Sequence, residues 1–120
     1  MRQSDKKYLE TIYSFDHSGK TLRAIDIGKS LEVSRASVSK ALKRLEEQKL
    51  IYIDLNKSIT LTSQGKEKAY NMHQKQVLIE HFLEKVINVS KEVAKKDAYK
   101  MKHCISEEVF QEIHKFLLDW

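Results

Sequence analysis

The sequence has 120 residues, 41% hydrophobic and 32% charged, with 22 Lys/Arg against 17 Asp/Glu. That suffices for one domain, or a small domain with an extension, and is too apolar for a disordered chain. One cysteine excludes an internal disulfide framework and any four-cysteine metal site. No apolar run approaches the ~18 residues of a membrane span, and no signal peptide is seen. Nor is there a Gly-rich phosphate loop or nucleophile elbow, so the expectation is a cytoplasmic protein that is not an enzyme.

The charge is uneven. Residues 1–70 carry 14 Lys/Arg and 9 Asp/Glu, whereas residues 71–120 carry eight of each. The whole positive surplus therefore lies in the first part, as expected of a polyanion-binding face.

Three glycines and no proline favour helices. From Asp5 to about Phe15, Tyr8, Leu9, Ile12, Tyr13 and Phe15 form an apolar stripe at helical spacing. His17-Ser18-Gly19-Lys20 breaks it. Thr21 is the expected N-cap of a short helix reaching Leu31, with Leu22, Ile25 and Ile27. Val33-Ser34 reads as a tight turn. Ser34 then caps a helix to about Gln48, with Val38, Ala41, Leu42 and Leu45 on one face. The period changes to two over residues 50–61. Ile51, Ile53 and Leu55, then Ile59 and Leu61, alternate with polar neighbours, which predicts a β-hairpin turning at Asn56-Lys57. A long helix follows from Ser63 to about Asn88, with Ala69, Met72, Ile79, Leu83 and Val86. Ser90 opens another helix to about His103. Ser106 caps the last, with Glu107 and Glu108 in its first turn, where the helix dipole favours anions.

This order predicts a mainly α protein. A winged helix-turn-helix domain with a hairpin wing spans 1–70. A helical dimerisation domain spans 71–120, and the helix from about 63 to 88 links the two. In such a head the second helix of the motif enters the major groove and reads bases with its N-terminal residues. Here it carries Arg35, Ala36, Ser37, Ser39, Lys40, Lys43 and Arg44. Arg35 can fork onto a guanine, and Ala36 can touch a thymine methyl. Ser37 and Lys40 reach base or phosphate, while Lys43 and Arg44 are assigned to the backbone. Lys57 at the wing tip, with Arg23 and Lys29, completes the candidate set. Phe110, Ile113, Phe116 and Leu117 make an aromatic stripe, assigned to a dimer contact because a 50-residue helical extension has little core of its own.

YLETIYSF, then IDIGKSLEVSRASVSKALKRLEEQKLI, then ITLTSQGKEKAY resemble the bacterial metal-dependent repressors. These are the diphtheria-toxin-repressor and manganese-transport-regulator type. The resemblance covers nearly the whole chain. Without a counterpart of the SH3-like third domain, it resembles the short, manganese-regulator branch. It implies a homodimer on a palindromic duplex DNA operator, its two heads spaced by a bound divalent ion. The ligand positions depart from the pattern. An Asp and a Glu on the first helix are matched by Lys7 and Glu10. A His on the long helix is matched by Gln76, with a nearby carboxylate at Glu80. A Glu, then Glu-His, on the next helix are matched by Tyr99, Lys102 and His103. Only Glu10, Glu80 and His103 remain candidate ligands. A charged Lys has no lone pair to offer, and it repels a cation.

The expectation is therefore no cofactor, with Lys7 and Lys102 neutralising Glu10 and Glu80, and with Gln76 and Tyr99 supplying hydrogen bonds. Two alternatives stand. One is a regulator responsive to Mn, Fe or Zn with a rebuilt ligand set, drawing on His73 or Cys104. The other is a winged-helix interaction module that does not read DNA.

Overall fold

The computed structural model describes residues 1–120. Six helices and one hairpin follow in order: α1 Gln3–Asp16, α2 Ala24–Leu31, α3 Arg35–Glu47, β1 Ile51–Ile53, β2 Ile59–Leu61, α4 Ser63–Lys85, α5 Lys91–Cys104 and α6 Glu107–Leu118. They form two compact units, Met1–Tyr70 and Asn71–Trp120, with α4 running from one into the other.

The first unit is a winged helix. Its core joins Tyr8, Leu9 and Ile12 of α1, Ile27 of α2, and Val38, Ala41, Leu42 and Leu45 of α3. Leu50, Ile51, Ile59 and Leu61 close it from the hairpin side. The hairpin is antiparallel, pairing Ile51 with Leu61 and Ile53 with Ile59. Outside it, the Ile59 N–H donates to the Leu22 carbonyl at 2.8 Å, so β2 is not left as a bare edge.

Two sequence expectations need correction here. Helix α2 begins at Ala24, capped at Arg23 and not at Thr21. The Arg23 N–H donates to the Asp26 carboxylate at 2.9 Å, so a residue inside the first turn satisfies the cap. And Leu55 is no strand residue. It is fully exposed in the turn after β1. That turn is built by Asp54, whose Oδ1 accepts the N–H groups of Asn56 and Ser58, both at 2.9 Å. Lys57 then takes a left-handed φ of 64°.

The second unit holds the C-terminal part of α4, with α5 and α6. Ser90 and Ser106 cap the two later helices by accepting the N–H groups of Val93 and Val109. Ile79, Ala94, Ala98 and Ile113 are its buried apolar residues. Val86 and Met72, expected in the stripe of the long helix, are only half-buried.

Candidate nucleic-acid interface and cation cluster

The buried side of α3 leaves a defined outer side. At 100° per residue, Ala36, Lys40 and Lys43 point directly away from Val38, Ala41, Leu42 and Leu45. Arg35, Ala36, Ser37, Ser39, Lys40 and Lys43 are all exposed. Ser34 Oγ accepts the Ser37 N–H at 3.1 Å and donates to Ser37 Oγ at 3.0 Å. This anchors the first turn, the part that would enter a groove. Lys29 lies exposed in the last turn of α2. Lys57 is exposed at the wing tip. Arg23 Nε donates to the Asn56 carbonyl at 3.3 Å, so this side chain braces the wing.

Arg44 differs from the other basic residues. Its Nε donates to both carboxylate oxygens of Asp5 at 3.1 Å, and its Nη2 donates to Oδ1 at 2.9 Å. Asp5 is 1% exposed. The assignment of Arg44 to the DNA backbone therefore meets a half-buried guanidinium, its side chain 30% exposed, that is already engaged by a buried carboxylate. Hydrogen bonding to Asp5, chiefly, and its charge hold the Arg44 pKa above the ordinary value, against the opposing effect of burial. A raised pKa stabilises the fold at every pH below the ordinary Arg value and is lost only on rising through the folded one. The fork thus stays charged on the arginine side throughout the working range. Asp5 is the residue that sequence reasoning missed. Its partner lies 39 positions away, and the one hint was an acidic residue three and four positions before Tyr8 and Leu9, on the apolar side of the first helix.

In the second unit Lys102, Gln76 and Glu80, three of the positions matched above by resemblance, form a hydrogen-bonded chain. Lys102 is 8% exposed, an unusual place for an ammonium group. Its Nζ donates to Gln76 Oε1 at 2.6 Å and lies 4.6 Å from the centre of the Tyr99 ring. Gln76 Nε2 in turn donates to Glu80 Oε1 at 3.2 Å. The expected pairing of Lys102 with Glu80 is thus relayed through Gln76. His103 meets the Tyr99 ring edge-on at 5.4 Å. In the first unit, Lys7 is exposed and Glu10 half-buried. Of the aromatic stripe, Ile113 is 9% exposed in the single chain. Phe110 and Leu117 are half-buried, and Phe116 is 48% exposed.

Comparison with known proteins decides the family. The model for the iron-dependent repressor N-terminal DNA-binding domain matches residues 2–57. That for the iron-dependent repressor metal-binding and dimerisation domain matches residues 62–119. The chain belongs to the iron-dependent repressor family. No curated protein matches it. Among solved structures, the manganese regulator SloR is 26% identical, with a TM-score of 0.77, over 98% of this chain and 54% of SloR. The hypothetical protein SSo2273 of Sulfolobus solfataricus is 23% identical, with a TM-score of 0.79, over 98% of this chain and 89% of its own. ScaR with bound Cd2+ reaches a TM-score of 0.84 at 22% identity, over 94% of this chain and 53% of that one. The last two likenesses show the fold alone. The chain spans about half the length of SloR and ScaR.

A divalent ion is what this family's second domain implies, but the donors in Asn71–Trp120 do not fit one. The buried Lys102 ammonium stands beside Gln76 and Tyr99 and takes the Gln76 carbonyl oxygen as its acceptor. An ammonium cannot ligate, and its charge opposes a second cation a few ångströms away. Within this unit no group of three or more His, Cys, Asp or Glu side chains is placed to hold a metal ion.

Proposed function

We propose that this iron-dependent repressor relative is a homodimeric, sequence-specific DNA-binding repressor that acts in the cytoplasm without requiring a divalent metal. One observation carries the metal-free part. The Lys102 ammonium is buried and hydrogen-bonded to Gln76 at 2.6 Å, at a position where the family resemblance calls for a ligand. A covalently attached cation organises the neighbouring Gln76 and Glu80 without any ion to lose. The DNA part is supported by the family match over residues 2–57 and by the exposed basic outer side of α3. A palindromic operator follows from a two-fold dimer, whose heads read equivalent half-sites.

Fluorescence anisotropy on chelator-stripped protein tests this reading. The probes are a duplex enriched by the wild-type chain from a randomised library and a random duplex. Each is titrated alone and with Mn2+, Fe2+ or Zn2+. The expected result is tight binding in chelator, unchanged by metals, and weakened in Lys102→Ala. Binding that appears only with one metal overturns it in favour of a rebuilt ligand set. No binding to either duplex at low salt leaves the interaction-module reading.

A further inference from the structure

We propose that Asp5 and Arg44 are a positioning pair that fixes how α3 presents its reading face, and that Arg44 is an internal strut and not a phosphate contact. The inference rests on the DNA-binding reading above and adds to it the residues that set its specificity.

Helix α3 is held to the rest of the unit by Val38, Ala41, Leu42 and Leu45. Apolar contacts of this kind are non-directional. They favour burial but define weakly how far a helix is rolled about its axis or slid along it. A guanidinium fork is directional. Two donor nitrogens, Nε and Nη2, make three hydrogen bonds to the two oxygens of one carboxylate, at 2.9–3.1 Å. Asp5 stands in the first turn of α1 and Arg44 in the last turn of α3. The fork therefore adds a fixed point where the apolar stripe ends. Lys43, one residue earlier, points about 100° away, into solvent. The two adjacent basic residues thus divide the work: Lys43 faces outward and Arg44 is turned to α1.

The fork cannot be released cheaply. Asp5 is 1% exposed, so a departing Arg44 would leave a buried carboxylate without its counter-charge. A phosphate would have to compete with a carboxylate that water cannot reach to solvate.

The test measures DNA binding across a range of salt concentrations, on the enriched duplex and on the random duplex. The proteins are the wild type, Asp5→Asn, Arg44→Lys, Arg44→Gln and Lys43→Gln, each checked by thermal melting. Asp5→Asn should lose about tenfold on the enriched duplex, the scale of one or two base contacts. It should lose nothing on the random duplex. Arg44→Lys and Arg44→Gln should both behave like it, with an unchanged slope of log affinity against log salt. Lys43→Gln should weaken both duplexes and reduce that slope by about one. If Arg44→Lys keeps full affinity while Arg44→Gln reduces the slope by about one, Arg44 is a phosphate contact and the proposal is overturned. Where a single variant fails to fold, the double replacement Asp5→Leu/Arg44→Met removes the pair without leaving a buried charge. That protein should fold yet discriminate poorly between the duplexes. Wild-type discrimination in it would mean the pair only stabilises, which also overturns the proposal. If the wild type itself binds neither duplex, the DNA-binding reading fails and takes this inference with it.

Discussion

Gly65 shows how much one residue fixes. It is buried in the first turn of α4, where a methyl group would overlap the carbonyl oxygen of Leu50. That carbonyl already accepts the Thr62 N–H at 3.1 Å. Thr62 Oγ1 donates to the Lys49 carbonyl at 2.6 Å and accepts the Gly65 N–H at 3.1 Å. The end of the hairpin, the start of α4 and the segment Lys49-Leu50 that follows α3 thus meet at one point with no room for a Cβ. Gly65→Ala should destabilise the first unit by about 1–3 kcal/mol, the usual cost of overpacking, because backbone must move. Chemical denaturation would show it as a lower midpoint. A melting curve like the wild type's would mean that the turn gives way without cost. A glycine in a helical pattern reads only as a weak helix former. Its packing partner is 15 positions back, so this constraint lies outside any local window. The same holds for Asp5, and for Arg44 within a basic run whose members look alike in sequence.

The recognition helix is the element that local chemistry defines best. Ser34 at its cap and apolar residues at positions 38, 41, 42 and 45 were enough to place it. The structure matches because cap and stripe agree. The wing was less legible. Its strands follow from alternation, but Leu55 continues the apolar rhythm into a turn made by Asp54. A period-two pattern does not say where pairing stops. In α2 the cap went unread because the acceptor is the Asp26 carboxylate, three residues inside the helix. The ligand positions in α4 and α5 could be located by resemblance, and hydrogen bonding by Gln76 is expected there, but the order of the relay, with Gln76 standing between Lys102 and Glu80, was not legible. It depends on which side-chain atoms meet across two helices. Ser34→Ala removes the acceptor for the Ser37 N–H and should cost roughly 1 kcal/mol. The loss should concentrate in the first turn of α3, where Arg35, Ala36 and Ser37 stand. Hydrogen exchange should therefore quicken at Ser37 and Val38 before it does at Leu45. Uniform acceleration along α3 would mean that the cap stabilises the unit as a whole and does not order its reading end.

At the scale of the molecule the two units differ in charge and in core. Fourteen of the 18 buried apolar residues belong to Met1–Tyr70 and four to Asn71–Trp120, two of those four being alanines. Fifty residues with so few buried side chains fall short of the core a helical unit of that size requires. Yet the second unit is not poor in apolar residues. Val109, Phe116, Leu118 and Trp120 are between 47% and 73% exposed, all on or just after α6. Phe116 meets Phe82 edge-on at 6.0 Å, so it extends the unit's small core outward and is not a stray surface residue. A second copy of the chain, covering this face, supplies the missing burial in the proposed reading. Phe116 is the better place to test it than Phe110. The Phe110 ring is stacked on His114 and lies under the Lys75 ammonium, so its loss would also disturb the unit itself. Phe116→Asp should sediment as a monomer at concentrations where the wild type is a dimer. On a palindromic duplex its affinity should fall by about 10²-fold or more, the avidity lost when one head binds without its twin. On a single half-site the two proteins should bind alike. A Phe116→Asp protein that stays dimeric would place the contact elsewhere on the second unit. A monomer that kept full affinity for the palindrome would separate dimerisation from DNA reading altogether.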